Sequence, residues 1–287
     1  MRKEVIHMTI AAGTFETAIG QFLVEIGKLL INNKNIGKIV NGLVKGLNVI
    51  AKNPTIGLKA ARVALVFLSS AISKLARMFG ITIGTENPAQ LGYRVLEAER
   101  HPEWKQRDDF KSFEEYNSYL KEQIPVINDE KLKEKWEACL LMGDAVLINE
   151  ITRGTGFEIG GEILFNMVKW GIKAWEIFII LNVFKDEGYT STTAVNDYMQ
   201  GNMSLKESRT IHSALVDAFM AENPKISRES VEDRLNEIRN AAKANPESCP
   251  VFEDILKDLE AGDAGEDGKA FRMESTEVRN YVEGKVE

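Results

Sequence analysis

Residues 35–80 constrain this chain more than any other segment, because they combine aliphatic and basic side chains and contain no Asp or Glu. Aliphatic residues recur there at intervals of three and four, which is the spacing of one face of an α-helix. Pro54 interrupts the pattern, and Thr55 follows it as a capping residue. The segment therefore predicts two successive helices, the second over about Ile56 to Phe79.

Two glycines and a row of basic residues distinguish the first of these helices. Gly42 and Gly46 are four residues apart and share a face, although glycine inside a helix costs about 1 kcal/mol against alanine. Small residues at this spacing let a second backbone approach closely. We predict that this face packs on another helix, from this chain or from a second copy. The other side is basic and predicts contact with a polyanionic surface; its residues are Lys38, Lys45, Lys52, Lys59 and Arg62.

The uncharged run from Val63 to Ser73 raises the question of a membrane helix. A spanning helix needs roughly 20 apolar residues, about twice this length. A buried core helix is the favoured interpretation. A helix lying in the membrane interface is the first alternative, because a basic face suits it. A true span, with the flanking Lys and Arg side chains reaching back to the headgroups, is the second.

Charge is distributed unevenly along the chain. Residues 1–80 hold 11 of its 36 Lys and Arg residues and only 3 of its 43 Asp and Glu residues. Such asymmetry indicates either that the basic end meets an anionic partner or that the two parts of the chain attract each other. Nearly all long segments have a period near 3.6, which predicts an all-α fold. We divide it into a basic, apolar, glycine-containing helical region (1–82), an acidic helical domain (88–261) and a flexible acidic tail with a terminal helix (262–287).

The acidic domain begins after a loop at 81–90 and is marked by capping signals. Ser112 and Ser204 are each followed three residues later by Glu, which is the pattern of a capping box. Two long helices are predicted, one over about 129–153 and one over about 157–185. Trp170 and Trp175 lie in the second of these helices and are expected in its core, since aromatic side chains bury large areas.

No motif predicts catalysis, a metal or a cofactor. The segment GFEIGGE at 156–162 lacks the Gly-Lys-Ser/Thr ending of a phosphate loop. The run TSTT at 190–193 is similar to the hydroxyl-rich strand of ADP-ribosyltransferases, but capping of a helix is the favoured interpretation. The three histidines lack a partner at helical spacing, and the two cysteines form no C-x-x-C pair. The helix-turn-helix rhythm after Ser204 is acidic, which disfavours nucleic-acid binding.

The run LINNKNIGKIVNGLVKGLNVIAKNP, within residues 27–80, resembles the hydrophobic segments of phage tail tape-measure proteins. Those segments mix glycine, lysine and aliphatic residues in helices that can meet a membrane. The resemblance implies a phage- or mobile-element-type protein whose N-terminal helices pack in an assembly or at a membrane interface. It carries over no site residue.

The expected function is therefore non-enzymatic, since the sequence places no nucleophile, base or metal cluster together. The alternative to the phage-type role is a soluble helical adaptor or immunity-type protein that binds another protein through its basic N-terminal region. An enzyme with an unrecognised helical site remains a third class. Expected partners are a protein or a second copy of the chain, and an anionic membrane surface. We expect a cytoplasmic, assembly-associated or membrane-peripheral protein without a cleaved signal peptide.

Overall fold

The computed structural model describes residues 34–51 and 57–244, and for residues 57–60 it describes the backbone alone. Over these residues it confirms the all-α prediction. Outside the helices, an isolated parallel bridge joins Glu158 and Ser191. The described helices are α1 (Lys34–Ala51), α2 (Gly57–Met78), α3 (Pro88–Ala98), α4 (Phe113–Gln123), α5 (Asp129–Glu134), α6 (Trp136–Thr155), α7 (Gly161–Lys169), α8 (Ala174–Asp186), α9 (Thr192–Gln200), α10 (Leu205–Glu222) and α11 (Arg228–Lys243), with a 3-10 turn at Arg107–Asp109.

Polar side chains cap the starts of several helices, including the two starts that the sequence indicated at Ser112 and Ser204. Ser112, Asn128 and Ser227 each accept a hydrogen bond from the backbone amide three residues ahead. Ser204 and Glu207 form the predicted capping box at the start of α10. Each cap satisfies an amide that would otherwise lack a partner, and replacing it by alanine typically costs about 1 kcal/mol.

Helix α6 is the centre of the fold. Every residue from Ala138 to Ile151 is buried, so α6 is covered on all sides. Helices α1, α2 and α3 pack against it. Most of the described helices contribute to one hydrophobic core, which extends from Ile36 to Ala242.

The predicted boundary at 81–90 is the turn between α2 and α3. Helices α1 and α2 precede it, yet they pack against α6, α7 and α8, which follow it. The chain therefore changes from basic to acidic near residue 82, but the hydrophobic core is shared by helices on both sides of this boundary. The run Val63 to Ser73 belongs to this core, since Val63, Leu65 and Leu68 are at most 1% exposed. None of the described helices is both long and apolar enough to cross a membrane.

Both long helices predicted in the acidic domain are interrupted. The first breaks at Lys135, where φ is −117° and ψ is 24°, and it then continues as α6 to Thr155. The second is two helices, because Gly171 adopts a left-handed φ of 73°. There the amide of Gly171 donates to the carbonyl of Val168 at 3.0 Å, and the amide of Ile172 donates to that of Met167 at 3.1 Å. This pair of bonds closes a helix in a Schellman motif.

The two tryptophans beside this break differ in burial. Trp170 is 7% exposed and belongs to the core, as expected. Trp175 is only partly buried and packs on Phe219, with 5.5 Å between ring centroids. The predicted tail (262–287) and Lys52 lie outside the described residues, as do residues 1–33 of the basic region and residues 245–261 of the acidic domain.

Candidate functional site

The glycine face of α1 lies against α7 of the same chain. A Cβ atom added to Gly42 would lie 2.5 Å from the amide nitrogen of Glu162, and one added to Gly46 would overlap the ring of Phe165. On the opposite side of the contact, a Cβ on Gly161 would overlap the carbonyl oxygen of Ile39. Three glycines therefore let the two helices meet almost backbone to backbone, and this face is occupied within the chain.

The basic side of α1 remains exposed. Lys34, Lys38 and Lys45 are spaced four and seven apart, so they line one side of the helix. The Lys45 Nζ lies 3.8 Å from the Glu162 carboxylate, but both side chains are more than half exposed, and such surface pairs contribute about 0–1 kcal/mol. We call these three lysines the α1 stripe.

The other residues predicted for the basic face do not extend this stripe. Arg62 belongs to α2, and its Nε lies 3.2 Å from a carboxylate oxygen of Glu137 on α6. It therefore joins two helices of the core instead of facing a partner. Lys59 lies in α2, but its side chain, like all of Lys52, is outside what the structure describes.

A second candidate site, which the sequence did not suggest, is a cleft between α2, the turn 81–87 and α6. Its volume is about 280 Å³, close to the lower end of the roughly 300–1,000 Å³ of small-ligand pockets. We call it the α2–α6 cleft. Its walls are mostly aliphatic, from Val66, Ala76, Ile81, Ile83, Leu140 and Leu147.

A row of polar side chains crosses this aliphatic wall along α2. Ser69, Ser73 and Arg77 all line the cleft and follow one another at intervals of four residues. Ser69 is buried, Ser73 is partly exposed and Arg77 is exposed, so the row leads from the interior to the mouth. The spacing in FLSSAISKLAR is the sequence signal for this row, but it becomes informative only when an apolar wall faces it.

The inner end of the row is joined to a buried acid on α6. The Ser69 hydroxyl donates to Asp144 Oδ1 at 2.8 Å, while Asp144 Oδ2 has no hydrogen-bond partner in the described part of the chain. Burial raises the pKa of Asp144 well above its ordinary value of 3.8 because the charged form loses its hydration. Leu140 and Leu147 precede and follow it by four and three residues and line the cleft, which places Asp144 on the same side of α6.

The acid at the rim of the cleft is paired. Glu86 lies 2.9 Å from Arg94 and 3.3 Å from Lys121. The Lys121 Nζ also donates to the carbonyl of Ile83 at 3.1 Å, which ties the 81–87 turn to α4. In contrast, no ion pair joins Arg77 to a described residue. Among the described residues, Arg77 is therefore a cation of the cleft without an ion-pair partner, at the exposed end of the polar row.

The glycine-rich segment GFEIGGE (156–162) and the hydroxyl-rich segment TSTT (190–193) are hydrogen-bonded to each other. The amide of Glu158 donates to the carbonyl of Thr190 at 2.7 Å, and the amide of Thr192 donates back to Glu158 at 2.9 Å. The Thr192 hydroxyl accepts a hydrogen bond from the amide of Gly160 at 2.9 Å. Ser191 is the N-cap residue of α9 but makes no side-chain capping bond. The Thr192 hydroxyl thus stabilises the start of α7 and does not cap α9, the helix to which it belongs.

Nucleophilic chemistry is not supported by the groups nearest the cleft. The Ser69 hydroxyl donates a hydrogen bond to Asp144, but burial disfavours the ionised form of this carboxyl, which is the form that would accept the Ser69 proton. Burial raises the pKa of the Cys139 thiol to about 12, which keeps it in the unreactive form. Among the described residues, no group of three His, Cys, Asp or Glu side chains could hold a metal ion.

No family model, curated protein or solved structure matches this chain.

Proposed function

We propose that this protein is a non-enzymatic helical adaptor that binds an acidic protein surface through the α1 stripe. The observation that carries the proposal is the exposure of Lys34, Lys38 and Lys45 on a helix that contains no acidic residue. The chain as a whole has a net charge of −7, so the stripe is a positive region on a negative protein. Complementary charge is the feature that selects a partner for such a surface.

The packing of α1 favours this role over the membrane-interface role. An interfacial helix inserts its apolar face among the lipids. In α1 seven aliphatic side chains are at most 6% exposed and belong to the protein's own core; they are Ile36, Ile39, Val40, Leu43, Val44, Leu47 and Ile50. Its glycine face is covered by α7. Val49 is the one large apolar side chain exposed on α1, so the surface that this helix offers to a partner is dominated by charge.

A contact of this kind has a recognisable dependence on salt. The Debye length is about 8 Å at physiological ionic strength, so exposed charges are screened efficiently. Complementary charges at an interface act mainly on the association rate. We expect binding through the α1 stripe to weaken steeply as salt is added.

Charge reversal tests the proposal. The variant Lys34→Glu, Lys38→Glu and Lys45→Glu removes the stripe. Its matched control reverses three exposed lysines elsewhere: Lys111, Lys206 and Lys225. Binding to immobilised poly-glutamate, as a model acidic polypeptide, is measured against salt, in parallel with vesicles containing phosphatidylserine and vesicles of phosphatidylcholine alone.

We expect poly-glutamate binding to fall at least about tenfold in the stripe variant and to change less than about twofold in the control, at equal net charge. Equal losses in the two variants would show that only net charge matters and would overturn the proposal. Salt-sensitive binding to phosphatidylserine vesicles without binding to poly-glutamate would favour the membrane-surface role instead.

A further inference from the structure

We propose that the α2–α6 cleft binds a small anionic amphiphile, a monocarboxylate whose carboxylate contacts Arg77 and Ser73 and whose apolar body lies between Ile83, Leu140 and Leu147. This site is separate from the α1 stripe and does not depend on the adaptor role. The ligand class follows from three features of the cleft: its apolar walls, the charge at its mouth and the buried, hydrogen-bonded pair Ser69–Asp144 at its inner end.

The aliphatic walls of the cleft favour a ligand whose body is apolar. Aliphatic side chains come from both helices and from the turn, so an apolar chain would be covered on opposite sides. Burial of apolar surface contributes about 25 cal/mol per Å². The turn that closes one side is tied to α4 by the hydrogen bond from Lys121 to the Ile83 carbonyl.

The mouth sets the charge of the ligand. Arg77 is exposed at the end of the polar row, and no ion pair joins it to a described residue. Glu86, which also lines the cleft, already contacts Arg94 and Lys121. A guanidinium matches a carboxylate through two parallel N–H bonds, and the Ser73 hydroxyl lies one helical turn further in to donate a third. An anionic head is therefore favoured over a cationic one.

The buried inner end of the cleft determines the orientation in which the ligand binds. Asp144 is fully buried beside Ser69, and this burial disfavours the charged form of the carboxyl that would attract an ammonium group, which raises its pKa. A charged head placed there would lose its hydration without an opposite charge to replace it. The ligand consequently enters with its apolar end first and keeps its head at Arg77.

Three probes of equal chain length test the site: octanoate, 1-octanol and octylamine. Binding is followed by tryptophan fluorescence, since Trp136 lines the cleft, and the Trp136→Phe variant identifies the responding residue. Arg77→Gln removes the charge at the mouth, and Arg209→Gln, at an exposed arginine of α10, is the control of equal charge change. Ser73→Phe fills the cleft, and Ser118→Phe places the same ring on an exposed position of α4.

We expect octanoate to bind most tightly, then 1-octanol, then octylamine. Arg77→Gln should weaken octanoate binding at least about tenfold, because a neutral amide replaces the two charge-assisted N–H bonds of the guanidinium, and it should leave 1-octanol binding unchanged. Ser73→Phe should abolish binding of both, while both controls behave as the wild type. Absence of saturable octanoate binding to the wild type, octylamine binding as tight as octanoate, or full binding by Ser73→Phe at unchanged melting temperature would each overturn the proposal.

Discussion

Gly92 of α3 and Gly143 of α6 meet backbone to backbone: a Cβ atom added to Gly92 would lie 2.7 Å from the amide nitrogen of Gly143. The same atom would overlap the carbonyl of Cys139, and a Cβ on Gly143 would overlap the carbonyl of Pro88. These obstacles are backbone atoms, which no rotamer change can move away. The close approach of α3 to the central helix therefore depends on both glycines.

Gly92→Ala and Gly143→Ala should each destabilise the protein by about 2–3 kcal/mol, since an added methyl overpacks a close helix contact. Gly154→Ala is the control in the same helix as Gly143, because nothing lies within 4 Å of its added Cβ. It should leave stability unchanged or raise it by up to about 1 kcal/mol through helix propensity. Urea unfolding measures all three, and a Gly143 variant as stable as the Gly154 variant would contradict the packing.

The loss of stability caused by alanine at Gly46, but not at Gly42, should depend on the side chain at position 165. At Gly46 the obstacle to an added methyl is the Phe165 ring, whereas at Gly42 it is the backbone of Gly161 and Glu162. Gly46→Ala should therefore cost less in a Phe165→Leu background than alone, by about 1 kcal/mol of coupling. Gly42→Ala should show no such rescue. A double-mutant cycle by urea unfolding gives both couplings, and equal couplings would refute the distinction.

The ion pair between Arg234 and Glu176 should contribute substantially to stability. Two nitrogens of Arg234 contact the two Glu176 oxygens at 2.9 Å, and Nη2 also donates to the Gly171 carbonyl at 2.6 Å. Glu176 is 3% exposed. Because Arg234→Met leaves this buried carboxylate unpaired, we expect a loss of about 3 kcal/mol.

The control for this prediction lies on the same helix. Arg228 pairs with Glu232 at 2.9 Å, but both side chains are more than 40% exposed. Arg228→Met should therefore cost less than about 1 kcal/mol. Similar losses for the two methionine variants in thermal unfolding would show that burial of Glu176 does not set the energy.

Asp144 should make stability depend on pH. Burial raises the pKa of this carboxyl above 3.8, so above that pH the unfolded chain releases a proton that the folded protein keeps. Stability therefore falls as pH rises from 3.8 towards the raised pKa. The Asp144→Asn variant keeps an oxygen acceptor for the Ser69 hydroxyl. Because its amide does not titrate, its stability lacks the fall with rising pH that Asp144 causes. Its melting temperature minus that of the wild type should increase as the pH rises above 3.8 and become constant once the pH passes the raised pKa of Asp144.

The control for Asp144 is Asp233→Asn, which removes the same charge from an exposed position of α11. Melting temperatures are measured for the three proteins across the same buffers. A wild-type to Asp144→Asn difference that stays constant with pH, or that follows the Asp233→Asn difference, would show that Asp144 is charged in the folded protein.

The sequence by itself determined the helical character of the chain and the starts of several helices. Capping depends on atoms within about four residues of one another, so Ser112 and Ser204 were informative without knowledge of the fold. The close packing of a glycine face also follows from local spacing. The partner of that face does not, and the break at Gly171 was missed because an apolar period continues through it.

Only the tertiary structure decided which surfaces remain available. It covers the glycine face of α1 with α7, leaves the α1 stripe exposed, and joins Arg62 to Glu137. It also brings Ser69 to Asp144, 75 residues away, and thereby forms the α2–α6 cleft. The physical reason is that these contacts depend on how helices distant in sequence pack around α6, whereas helix formation and capping depend on neighbours along the chain.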